Sequence, residues 1–138
     1  MKSLTLTITL LAIVCLPFIL TGCGGTPNTP EGVVQKQINA FKKWDVAALT
    51  TCVDADEARL QKVAEQIKNA PENTKKDMMT LASYAKIIKS EINGDKATVD
   101  MTIPAWGKGG VNVKEQQTAK VHLVNKNGKW LLTEPGIF

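Results

Sequence analysis

Residues 92–103 read INGDKATVDMTI, a stretch that joins a strong short hairpin signal, Asn93-Gly94, to a strictly alternating run. Ala97, Val99, Met101 and Ile103 share one parity, and Thr98, Asp100 and Thr102 share the other. Successive side chains of a strand point to opposite faces, so this pattern predicts a strand with one face on a core and one in water. Upstream, Ile88, Ser90 and Ile92 supply the first arm of the hairpin. Downstream, a Gly-rich tip at 106–110 turns the chain into a third strand at about 111–124, and Asn127-Gly128 turns it into a fourth at 129–133. The result is a four-stranded antiparallel meander.

Before the sheet the apolar period becomes helical. Thr29-Pro30-Glu31 places a cap residue, a proline at the first helical position and an acid in the first turn, and Val34, Ile38 and Phe41 follow on one face to Trp44. Asp45 caps a short second helix carrying Val46, Leu49, Cys52 and Val53. Asp54, with Glu57 three residues on, opens a third, whose buried stripe is Leu60, Val63, Ala64 and Ile67 until Pro71 ends it. Thr74 and Asp77 repeat that spacing for a last short helix with Met78, Met79 and Leu81. Helices followed by a meander predict an α+β domain over 30–138.

The order of these caps and turns is familiar: Thr-Pro-Glu-Gly-Val-Val opening a helix at 29–34, Lys-Lys-Trp-Asp closing it at 42–45, Asn-Gly-Asp-Lys-Ala-Thr-Val at 93–99 and Asn-Gly-Lys-Trp at 127–130. Over about residues 29–134 the chain resembles small bacterial lipoproteins of unknown function in the nuclear-transport-factor-2-like, cystatin-like superfamily. The resemblance implies N-terminal helices packed on a curved sheet, a cone that serves as a pocket, an active site or a packed core. It implies also that enzymes of the superfamily set acids, bases or a tyrosine inside the cone, which makes Tyr84, Asp100 and Glu115 the candidates for an isomerase or hydratase.

The N-terminal segment has the parts of an export signal: Lys2, an apolar core from Leu4 to Leu20, and small residues before a processing point. Leu20-Thr21-Gly22-Cys23 resembles the lipobox of bacterial lipoproteins, which implies a signal peptide over 1–22, a diacylglycerol on the Cys23 sulfur, and acylation of the new amino terminus by a fatty acid such as palmitate. Residues 23–29, rich in glycine and proline, then form a tether. The localisation expected is the bacterial cell envelope, outside the cytoplasm. Gly24 is not the acidic residue of an inner-membrane retention signal, so with two membranes the outer one, facing the periplasm, is expected.

The 17 basic and 13 acidic side chains give a net charge of +4, with lysines spread along the chain and Arg59 the sole arginine, which argues against a nucleic-acid partner. With Cys15 in the leader and Cys23 committed to lipid, Cys52 is expected as a lone buried thiol without an intramolecular disulfide. No His-Glu-x-x-His, Gly-x-Ser-x-Gly or phosphate-binding loop occurs, and His122 is the one histidine, so no cofactor and no metal are expected. His122 shares the outward parity of Lys120. Glu115 and Gln117 share the parity of Val113, Ala119, Val121 and Leu123, which aims them at the concave side unless a bulge intervenes, and Trp106 stands in the tip beside them. These three residues form the candidate mouth of a pocket. The function expected is a membrane-anchored, non-catalytic binding module for an envelope protein or a small ligand; a structural envelope lipoprotein and the pocket enzyme are the alternatives.

Overall fold

The computed structural model describes residues 28–136. Helices α1 (Pro30–Lys43), α2 (Val46–Thr50), α3 (Glu57–Lys68) and α4 (Glu72–Tyr84) precede strands β1 (Lys86–Asn93), β2 (Lys96–Gly107), β3 (Gly110–Lys126) and β4 (Lys129–Leu132). The strands form one curved sheet in chain order, each neighbour antiparallel, so the fold is α+β as expected. The signal peptide, the lipobox with Cys23 and the tether up to residue 27 lie outside the described residues. Asn28 and Thr29, placed in the tether by composition, belong to the domain. The Asn28 carboxamide donates to the Gly128 carbonyl and accepts from the Trp130 amide at 3.2 Å, while the Thr29 hydroxyl accepts the Gly32 amide at 3.1 Å.

The helix starts differ from the sequence expectation at two points. Asp56, not Asp54, caps α3, accepting the Arg59 amide at 2.7 Å. Asp54 is instead held by the sheet: its amide donates to the Leu132 carbonyl at 2.7 Å and its carboxylate meets Lys126 at 2.7 Å. Helix α4 starts two residues before Thr74, directly behind Pro71, and runs for 13 residues. Pro71 has no side-chain oxygen to cap with, so no local signal of the capping kind marks that start. Asp45 caps α2 as read, accepting from Ala48 at 3.0 Å.

Cys52 falls outside α2, in the left-handed region at φ 62°, and is buried. It is disulfide-bonded, which corrects the expectation of a lone thiol; the chain's other cysteines, Cys15 and Cys23, both lie outside the described residues.

In the sheet, Asn93 pairs with Lys96, so the first hairpin loop is Gly94-Asp95, one residue later than the sequence signal, with Gly94 at φ 63° in the first central position as a type II′ turn requires. Asn127 and Gly128 both have positive φ, the type I′ geometry expected of that dipeptide. A register shift between Ile87 and Lys89 makes Ile88 a bulge residue, so Ile87 packs on the core and Ile88 is exposed.

Val99 opposite Val121, Met101 opposite Ala119, and Ala97 opposite Leu123 form the concave face, and Trp130 and Leu132 extend it from β4. Val34, Ile38 and Ala82 bury against it from the helices. The space between helices and sheet is therefore packed with side chains, each large apolar one contributing about 1.5–3 kcal/mol.

Candidate functional site

The outer face of the sheet carries Asp100 and His122. Asp100 leaves 13% of its side chain exposed, with the Lys120 ammonium at 2.8 Å and Lys89 at 3.9 Å on the flanking strands. The hydrogen bond from Lys120 holds its carboxyl below the usual range, against the opposing effect of burial. This is a cross-strand ion cluster, on the side of the sheet away from the cone. His122 is exposed, its Nδ1 at 3.3 Å from the Thr98 hydroxyl, as its parity indicates. His122→Ala is expected to change unfolding free energy by no more than about 0.5 kcal/mol in a urea melt.

The tip of the β2–β3 hairpin brings two of the three candidate pocket residues together. Between Pro104 and Ala105 the register jumps from Gln116 to Asn112, leaving 113–115 without partners on β2. The bulge ends the parity that aimed Glu115 at the concave side, and Glu115 is exposed. Gln117 remains opposite Ile103 but is also exposed. Trp106, 44% exposed, lines a shallow cavity of about 470 Å³ with Glu115 and the glycines of the tip; Gln117 is not in that lining. Tyr84 is exposed at the end of α4. Tyr84, Asp100 and Glu115 thus occupy separate surfaces and do not converge in the cone.

A different concavity lies at the helical end of the domain. Phe41 and Trp44 from the end of α1, Val63 and Ile67 from α3, Met78 from α4 and Pro135 after β4 line a recess of about 270 Å³ with no charged residue in its wall. Its origin is local. Trp44 closes α1 in the left-handed conformation at φ 51°, with its ring edge-on to Phe41 at 6.3 Å between centroids. Helix α3 carries the expected stripe of Leu60, Val63, Ala64 and Ile67, yet none of its residues is fully buried. The stripe was expected to be buried; it is half-covered because α3 packs chiefly on the short α2 and stands over the recess. A larger open groove of about 640 Å³ runs along α4 past Met79 and Tyr84, but Lys75 and Lys76 line it and Lys75 pairs with Glu72 at 2.6 Å.

Beside the recess, Gln37 is fully buried in α1. Its amide nitrogen donates to the carbonyls of Thr51 at 3.0 Å, Leu49 at 3.3 Å and Ala48 at 3.4 Å, which serves the C-terminal end of α2. The sequence reading passed over it. Its spacing from Val33, Val34, Ile38 and Phe41, all on the buried face, was the available signal. The recess itself left no such trace, since its walls come from four helices and the segment after β4, and each residue reads locally as core. Among the described residues no cluster of His, Cys, Asp and Glu could hold a metal, and no helix is long and apolar enough to cross a membrane.

No protein-family model and no curated protein matches the chain. Among solved structures the chain is similar to a Campylobacter jejuni protein assigned the name NTF2-like transpeptidase, at 16% identity and a TM-score of 0.50, over 77% of this chain and 99% of that one. It is similar also to a SEC-C motif containing protein from Rhodopseudomonas palustris, at 13% identity and a TM-score of 0.48, over 80% of each chain. The first likeness shows the nuclear-transport-factor-2-like fold.

Proposed function

We propose that the chain is a lipid-anchored, extracytoplasmic binding module that receives an apolar group, the side chain of an envelope protein or the body of a small ligand, in the recess between α1, α3 and α4. The observation that carries this reading is the half-covered stripe of α3 above an uncharged cavity. An apolar group entering it covers surface worth about 25 cal/mol per Å² removed from water. The nuclear-transport-factor-2-like fold is compatible with binding and with chemistry, and the separation of Tyr84, Asp100 and Glu115 favours binding without chemistry.

Native mass spectrometry tests the recess. The protein purified from a bacterial envelope is expected to retain a noncovalent adduct that Ala70→Trp, which fills the recess from its wall, removes. Identical spectra for the two proteins, or no adduct on either, would refute the reading.

The anchor is Cys23 within the Leu20-Thr21-Gly22-Cys23 motif, and the bilayer is the partner it implies. Asn28 is fixed beside the Asn127-Gly128 turn, so four residues, 24–27, separate the acylated cysteine from that end of the domain, a reach of at most about 17 Å. The module would then work close to the membrane surface, in the outer membrane facing the periplasm where two membranes exist. A sulfur bound to lipid cannot also serve a disulfide, so on this reading Cys23 is not the disulfide partner of Cys52.

The shared cavity of Trp106 and Glu115 supports a second contact at the tip, suited to a cation with an apolar body. Trp106→Ala is expected to weaken such binding, measured by titration with a quaternary ammonium probe, while shifting stability by less than about 0.5 kcal/mol. A variant that unfolds, or one that binds the probe as before, would remove the tip from the binding surface.

A further inference from the structure

We infer that the open edge of β1 pairs with β1 of a second copy of this chain, antiparallel and centred on Ser90, joining two four-stranded sheets into one. The inference stands apart from the recess and needs nothing bound in it.

The two edges of the sheet differ. At the β4 edge the Leu132 amide donates to the Cys52 carbonyl at 2.7 Å, and the Leu132 carbonyl accepts the Asp54 amide at 2.7 Å, so the segment 52–54 covers that edge. Among the described residues no strand lies beyond β1. A row of unpaired N–H and C=O groups on such an edge is a template for another strand. The hairpin decides which groups these are. Asn93 and Lys96 flank the two-residue turn and face each other in hydrogen bonding, so by alternation Glu91 and Lys89 also turn their backbone toward β2. Ser90 and Ile92 then turn theirs to the open edge. The Ser90 hydroxyl donates to the Glu31 carboxylate of α1, which ties the middle of the strand to the domain.

The side chains of β1 are complementary to themselves about that middle. With Ser90 opposite Ser90 of the second copy, the two exchange their outward hydrogen bonds, and Lys89 of each copy stands opposite Glu91 of the other. Lysine on an edge ordinarily repels a second strand. In this register it forms an ion pair on either side of the twofold axis, on the outer face where Lys89 and Glu91 already pair within one strand. Sliding one copy by two residues keeps the backbone directions but sets Lys89 on Lys89 or Glu91 on Glu91, and like charges directly opposite are destabilising. The charge pattern thus selects one register.

The apolar residues agree with it. Ile92, 59% exposed, and Ile88, 56% exposed, are the most exposed large apolar side chains among the described residues. The same register places Ile88 of each copy opposite Ile92 of the other, an arrangement in which β-branched pairs stabilise a sheet.

Co-purification tests the pairing. Two full chains with different affinity tags are expressed together in bacterial membranes and extracted in mild detergent, and one tag is recovered through the other. The parent tags are expected to co-purify. Recovery should fall several-fold when both chains carry Lys89→Glu, or both carry Glu91→Lys, because each sets two like-charged pairs across the axis. Lys89→Glu expressed with Glu91→Lys should recover to near the parent, because opposite charges again meet at both positions. Ile92→Pro removes an outward N–H and no bond to β2, so it should lower recovery several-fold and leave the urea melt of the domain unchanged. Parent tags that do not co-purify would overturn the inference, as would like-charged variants that co-purify as the parent does, or folded charge variants that stay apart when mixed. Should the charge variants fail to fold, Ile92→Pro decides. A folded Ile92→Pro protein that co-purifies like the parent overturns the pairing, and an unfolded one does so too, since the Ile92 amide would then be bonded within the domain.

Discussion

Gln37→Glu is expected to cost the domain about 3–5 kcal/mol of stability at neutral pH. Gln37 is fully buried, and its amide nitrogen sits within hydrogen-bond range of the carbonyls of Ala48, Leu49 and Thr51. A carboxylate there sets a negative oxygen against three acceptors with no cation beside it, and an uncompensated buried charge costs about 3–5 kcal/mol. That is a large share of the roughly 5–15 kcal/mol that hold a domain of this kind. The sign of the pH dependence follows. The buried acid has a folded-state pKa raised above its unfolded value near 4.3, so the folded variant binds the extra proton. Its stability is then best below about pH 4.3, falls as the pH rises toward the raised folded value, and levels off above it. Gln37→Met keeps the volume and loses the donor, at a cost of about 1–3 kcal/mol and with no added pH slope. Urea melts at acid and neutral pH distinguish the two variants. A Gln37→Glu protein as stable as the parent at neutral pH would show that this amide does not hold α2 in place. The Gln37 Oε1 atom has no hydrogen-bond partner among the described residues, so only the donor half of the side chain is used, which is why the substitution acts through the nitrogen.

Cys23→Ala is expected to abolish lipid attachment and processing together. The lipobox reading gives that sulfur the diacylglycerol and puts the cut in front of it. Each buried methylene contributes about 0.8 kcal/mol, so a single acyl chain holds a protein marginally and two or three hold it firmly. Removing the attachment atom removes the whole term. Incorporation of an alkynyl palmitate analogue should fall to background, and the chain should retain residues 1–22. A variant cut at the same place and still labelled would sink the assignment of this cysteine.

Much of the fold was legible because its signals are local. The alternation at 97–103, the Asn127-Gly128 dipeptide, Thr29-Pro30 and Asp45 each act within a few residues, and the structure uses each in the element expected, while Asn93-Gly94 marks its hairpin one residue early. The outward place of His122 followed from the same alternation. Errors arose where a distant part of the chain claimed a group first. Asp54 is drawn to β4 and Lys126, so Asp56 becomes the cap of α3. The bulge at Ile88 shifts register without any glycine or other local marker, whereas the one beyond Pro104 follows a proline, a residue confined within sheets to edges, first positions and bulges, and it carries Glu115 off the face that parity assigned to it. The incomplete cover of α3 could not be read from its stripe, because periodicity reports that a face is apolar and says nothing of how much material reaches it.

The proposed placement of this domain in the cell rests on Cys23, and the most direct test is the intact mass of the full-length gene product extracted from bacterial membranes, with fragmentation to locate the modification. The expected polypeptide begins at Cys23 and carries a diacylglycerol on that sulfur. A chain that keeps residues 1–22, or one in which the Cys23 sulfur is recovered in a disulfide with Cys52, would contradict it.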